Sequence, residues 1–155
     1  MHLDPTDWQI LTALQADARQ SFTALGQQVG LSAPAVTERV RKLEATGIIK
    51  GYSARLNLTA LGASIQAYVQ LTTPPQNYPQ VHRLVSQTPE LLECHHLTGE
   101  ASFLIRAVAQ SLPHLEQLLQ KLSAYGPTQT ALVLSTPVPT KPIMPGIMAS
   151  EISGL

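Results

Sequence analysis

The sequence predicts an α+β chain, three short helices followed by a βαββαβ unit, and three observations carry that reading. Up to about residue 47, apolar side chains recur at helical spacing between good capping residues. From Ile65 onward the period falls to two, the alternation of a strand with one wet face. Turn-forming residues then separate the later segments in the order β-α-β-β-α-β.

The elements follow in order. Asp4 is an N-cap, Pro5 suits a first helical turn and Asp7 complements the helix dipole, so a helix runs over Pro5–Ala16 with Ile10, Leu11 and Leu14 as its stripe. Ser21 caps a second helix whose apolar face is Phe22, Leu25 and Val29, and Gly30 stops it. Ser32 caps a third, with Val36, Val40 and Leu43 inward, and Gly47 ends it before an extended segment starts at Ile48 and Ile49. Ile65, Ala67, Val69 and Leu71 alternate with polar neighbours until Pro74 and Pro75 end the strand. A helix over Tyr78–Gln87 carries Val81, Leu84 and Val85, and Pro89 closes it. Two strands, 91–97 and 102–109, are joined by Thr98-Gly99-Glu100-Ala101, which has the composition of a hairpin turn. Leu112, Leu115, Leu118, Leu119 and Leu122 trace the last helix, and a final strand runs over residues 128–136.

The domains expected are a helix-turn-helix (winged-helix-type) unit at 1–50, a linker with an extended segment at 51–64, a ferredoxin-like domain at 65–136 and a proline-rich tail at 137–155. Four of the twelve prolines fall between Pro137 and Pro145, so the tail reads as an extended or mobile arm.

Ten basic and ten acidic side chains cancel over 155 residues, which excludes a strongly basic coat or an acidic tail. Charged residues are 13% of the chain where about 25% is usual, a surface that favours self-association. One cysteine, Cys94, makes no internal disulfide, and no apolar run approaches the roughly 18 residues of a membrane span. The cytoplasm is the expected compartment.

A trihelical start of this kind places its third helix in the DNA major groove. With Val36, Val40 and Leu43 inward, Pro34, Glu38, Arg41 and Ala45 face away and Thr37 and Lys42 flank them. Arg41 can fork onto guanine or phosphate, Lys42 acts as a point charge, and Ser32 and Thr37 lie where helix N–H groups already favour an anion. The DNA-binding set is therefore Ser32, Pro34, Thr37, Glu38, Arg41 and Lys42. Residues 33–55 hold five bases (Arg39, Arg41, Lys42, Lys50, Arg55) against two acids, a local excess of three, so two or more chains are needed on one double-stranded DNA. Periodicity alone equally allows a helical bundle with a solvated charged face.

The residues also carry a resemblance. Leu3-Asp4-x-x-Asp7-x-x-Ile10-Leu11, Asp17-Ala18-Arg19, Val29-Gly30-Leu31-Ser32, Glu38-Arg39-Val40-Arg41-Lys42-Leu43-Glu44, Gly47-Ile48-Ile49-Lys50-Gly51-Tyr52 and Leu61-Gly62 together resemble the Lrp/AsnC family, the feast/famine regulators. The resemblance implies a transcription factor that dimerises through its sheet, assembles to a tetramer or octamer and binds an amino acid or related effector. It also implies an effector pocket at the turn between the middle strands, where the family pattern is Thr-Gly-x-x-Asp. Thr98 and Gly99 match that pattern, Ser102 stands at the acidic position, and Glu100 and Thr130 complete the candidate effector set. With a serine at that position, zwitterionic amino acids are expected to bind weakly.

Other constellations carry less. Cys94 and His96 share one strand face and His95 the other, and no second Cys/His pair completes a zinc set, so no metal and no cofactor is expected. His82 and His114 read as helix-surface residues. Residues 65–136 hold no aspartate and no phosphate loop or nucleophile elbow, so no enzyme is expected. Trp8 lies opposite the Ile10/Leu14 stripe, exposed or in a subunit contact. The competing function is a small-molecule-binding or assembly module of the same βαββαβ type without DNA binding.

Overall fold

The computed structural model describes residues 3–145, which form two units: residues 3–54 with 138–145, and Arg55–Pro137. The first is trihelical. Helix α1 (Pro5–Ala16) opens on a capping box in which the Asp7 N–H donates to Asp4 Oδ1 at 2.7 Å and the Asp4 N–H donates to Asp7 Oδ2 at 3.2 Å. Helix α2 (Phe22–Val29) is capped by Ser21 and ends on Gly30, whose φ of 71° is the left-handed conformation that glycine adopts freely. Helix α3 (Ala33–Ala45) is capped by Ser32.

Ile10, Leu14, Leu25, Val36, Val40 and Leu43 form the buried centre of this unit. Phe22, expected on the inner face of α2, is instead exposed, because the first turn of so short a helix overhangs the core. The turn between α2 and α3 is tight. A Cβ at Gly26 would run into the Leu31 carbonyl, so only glycine admits the close approach of turn to helix. Residues 46–57 pair with no strand, and the extended segment expected from Ile48 forms no ladder.

The second unit is a four-stranded antiparallel sheet, β1 (Ile65–Leu71), β2 (Leu91–His96), β3 (Phe103–Ala109) and β4 (Thr128–Leu132), in the order β2-β3-β1-β4. With α4 (Tyr78–Gln87) between β1 and β2 and α5 (Leu112–Ser123) between β3 and β4, this is the ferredoxin-like arrangement the sequence predicts. Both helices cover one face, where Val69, Leu71, Val81, Phe103, Ile105, Leu118 and Leu122 are fully buried.

Three departures have local causes. A single 3-10 turn, Pro75–Asn77, precedes α4, since consecutive prolines preset a tight turn. Strand β4 stops at Leu132 instead of running to residue 136: the Val133 N–H still reaches the Gln66 carbonyl, but β1 begins at Ile65, so residues 135 and 136 have no partner on it. Leu112, placed in the α5 stripe by spacing, is exposed at the first position of the helix.

The tail residues 138–144 carry no helix or strand, yet 138–145 group with the trihelical unit instead of standing apart. The rest of the tail, 146–155, lies outside the described residues.

Candidate functional site

On α3 the buried stripe is Val36, Val40 and Leu43, and the opposite side presents Pro34, Glu38, Arg41 and Lys42, all exposed. Neither Arg41 nor Lys42 makes an ion pair among the described residues. Two free cations on the outer face of a capped helix can meet phosphate or a base edge without first breaking a bond.

The hydroxyls named with them are already in use. Ser32 Oγ accepts from the Ala35 N–H at 3.4 Å as the cap, and Thr37 Oγ1 donates to the Ala33 carbonyl at 2.8 Å. Ser32 keeps its proton free to donate, whereas Thr37 has spent its own on the helix.

Arg39, counted above with the local bases, has a different task. Its guanidinium lies 2.7 Å from Asp4 Oδ2 and 2.7 Å from Asp7 Oδ1, so it ties α3 to the capping box of α1. The bond from the Asp7 N–H, followed by that from Arg39, holds the Asp4 carboxyl below its ordinary range. Asp7 is buried and is satisfied by this arrangement. Spacing missed the clamp because Arg39 is 32 and 35 residues from its partners, although Asp4, Asp7 and Arg39 all belong to the quoted family pattern.

Past α3, Tyr52 donates its hydroxyl to Glu44 Oε1 at 2.9 Å. Burial first, then that carboxylate, pushes the phenol up to about 12. The segment leaving α3 is thereby pinned to the end of that helix.

In the second unit the turn between β2 and β3 is short, with the Leu97 N–H bonded to the Ser102 carbonyl at 2.9 Å and Gly99 at φ 106°. Thr98, Gly99 and Glu100 are exposed. Ser102 is engaged inside the fold: its hydroxyl donates to the Thr73 carbonyl at 2.9 Å and accepts from the Thr73 N–H at 3.0 Å, closing the end of β1 onto β3. Thr73 in turn donates its hydroxyl to the Tyr125 carbonyl at 2.6 Å. Thr130 lies on β4 opposite Val69, with β1 between it and the hairpin that carries the turn. A single chain therefore does not gather the five candidate effector residues into one pocket.

The sheet face away from the helices shows Tyr68, Gln70 and Ala131, all exposed, beside Arg106, whose guanidinium is 2.6 Å from Glu93 Oε1. The bond from Arg106, then that from His95, holds Glu93 low. His95 takes this face, whereas Cys94 packs on the core and His96 stacks against Phe103 with ring centroids 5.3 Å apart. Burial pushes the Cys94 thiol up. His82 is exposed on α4 with its ring edge-on to Phe103, and half-buried His114 lies 3.3 Å from Glu90. No cluster of three metal-ligating side chains occurs among the described residues, and none of their helices is long and apolar enough to cross a membrane.

Comparison with known proteins adds two family matches, the AsnC-type helix-turn-helix domain over residues 3–44 and the Lrp/AsnC ligand binding domain over residues 66–143. The chain is 34% identical over 135 residues to the HTH-type transcriptional regulator LrpC of Bacillus subtilis, covering 87% of this chain and 94% of that protein. It is 34% identical over 139 residues to the leucine-responsive regulatory protein of Escherichia coli, covering 85% of each. The solved structure of B. subtilis LrpC superposes with a TM-score of 0.85 over 91% of this chain and 100% of that one. A transcriptional regulator of Neisseria meningitidis, solved as an L-Met complex, also gives 0.85 at 27% identity, covering 92% and 96%.

Proposed function

The chain belongs to the Lrp/AsnC family of helix-turn-helix transcriptional regulators, and from that premise we propose how its own residues divide the work. It is a DNA-binding regulator. The pair Arg41 and Lys42, exposed on α3 without an acidic partner among the described residues, is the observation that supports α3 as the reading helix. Arg41 reads a base edge, Lys42 and the Ser32 hydroxyl hold phosphate, and Pro34 and Glu38 border the contact. Selecting bound DNA from a random pool tests this, with Arg41→Ala and Lys42→Ala alongside. Arg41→Ala costs about 1–3 kcal/mol and relaxes the preference at one position, while Lys42→Ala weakens all sequences alike. Unchanged affinity in both variants overturns the assignment.

The regulator works as a homodimer joined through the open sheet face around Tyr68, and dimers associate further into a tetramer or octamer in the cytoplasm. A closed two-fold contact covers that face on both copies at once. An amino acid or related small molecule is the effector, bound at the turn Thr98-Gly99-Glu100 where another chain completes the site; the L-Met complex of the Neisseria relative supports this class. Ser102 is occupied with Thr73, so Glu100 is the carboxylate left to meet an ammonium group. Calorimetric titration with L-methionine and L-leucine checks it: Glu100→Gln abolishes binding, and equal binding by wild type and variant removes Glu100 from the site. No residue is assigned a catalytic role.

A further inference from the structure

Trp8, the only tryptophan of the chain, lines an open groove of about 550 Å³ on the trihelical unit. Its walls include Trp8, Thr12 and Ala16 of α1, Val29 of α2, and Met144 and Pro145 of the tail. The tail does not merely pass by. The Gln15 side chain donates through Nε2 to the Ile143 carbonyl at 3.1 Å and accepts the Ile143 N–H on Oε1 at 2.8 Å, so one amide holds both backbone groups of that residue.

We propose that this groove is the docking site of the chain's own tail, anchored over Pro142–Pro145, which straps α1 and α2 from outside. Two features favour this occupant. The Gln15 fork recognises extended backbone and suits any residue that keeps its N–H. Prolines at 137, 139, 142 and 145 restrict the free tail, so ordering it costs less than for an ordinary segment. The trihelical unit is then joined to the sheet unit by two chain crossings, one after α3 and one after β4.

Trp8 reports on the strap directly. In full-length protein, Gln15→Leu removes both bonds to Ile143 and Ile143→Pro removes the donor alone, and neither side chain belongs to the DNA-reading set. Each variant shifts Trp8 emission to longer wavelength and raises its acrylamide quenching about two-fold or more, with helical circular dichroism unchanged. Met144→Ser, on an exposed tail residue, gives the same direction should either of the others perturb the fold. Emission and quenching identical to wild type in the folded variants overturn the proposal. Protection of Trp8 that disappears on dilution and ignores the tail substitutions also overturns it, since a second copy then covers the groove. The readout needs no DNA and no effector, so its failure leaves the regulatory reading standing, and the reverse holds too.

Discussion

Arg39 and Arg41 are two residues apart on one helix and do different things, because a helix turns 200° between them and only one faces α1. The Arg39 clamp has a pH signature. Asp4 is held below its ordinary value near 3.8 in the folded chain, so the unfolded chain takes up its proton at the higher pH. That contribution is complete above pH 3.8 and is lost as the pH falls through the lowered folded value. Melting temperature measured against pH in wild type and Arg39→Met checks this: wild type loses stability as the pH falls below 3.8, and the variant, which keeps the Asp7 N–H bond, starts lower and falls somewhat less.

Ser102 illustrates the same division. Its hydroxyl both gives and takes a bond at Thr73, so Ser102→Ala orphans two half-buried backbone groups and costs about 1–3 kcal/mol in denaturant unfolding. Ser102→Asp keeps the acceptor and loses the donor to the Thr73 carbonyl, placing a charge beside that oxygen. It restores the acid of the family pattern and lowers stability by a comparable amount. A variant as stable as wild type argues against the clip.

At the scale of elements, the α2–turn–α3 motif depends on one close approach. Gly26→Ala forces its methyl against the Leu31 carbonyl, and overpacking of this kind costs about 1–3 kcal/mol. The shift moves α3 relative to its core stripe, so DNA affinity falls with stability; thermal melts and gel shifts on the same variant test the coupling. The sheet is asymmetric in the same sense. One face is sealed by α4 and α5, and the other carries Tyr68, Gln70 and the Arg106–Glu93 pair in the open.

For the whole molecule, zero net charge means that no long-range field draws the chain to DNA, and attraction comes from a few local bases. With Arg39 committed to Asp4 and Asp7, the bases left between residues 33 and 55 are Arg41, Lys42, Lys50 and Arg55. Two chains whose contacts come from these four bases each give a slope of log K against log salt of about −7. A steeper slope requires bases outside this segment, such as the exposed Arg19 and Lys141, or more than two chains on the site. Light scattering at micromolar concentration is expected to show a dimer or larger, and a monomer removes the sheet-face contact.

Much of this protein was legible before any coordinates. The helices α1, α2 and α3 begin and end where Asp4, Ser21, Ser32 and Gly30 place them, because caps act within a few residues of where they stand. The exposed positions of Arg41 and Lys42 follow from the same 3.6-residue arithmetic. Tertiary structure alone decided the partners: Arg39 for Asp4 and Asp7, Ser102 for Thr73, Gln15 for Ile143. Each pair joins residues between 29 and 128 positions apart, and two of the three reach a backbone group that every residue carries. Local pattern fixes which way a side chain faces. What it meets there depends on packing among elements distant in the chain, and no periodicity records that.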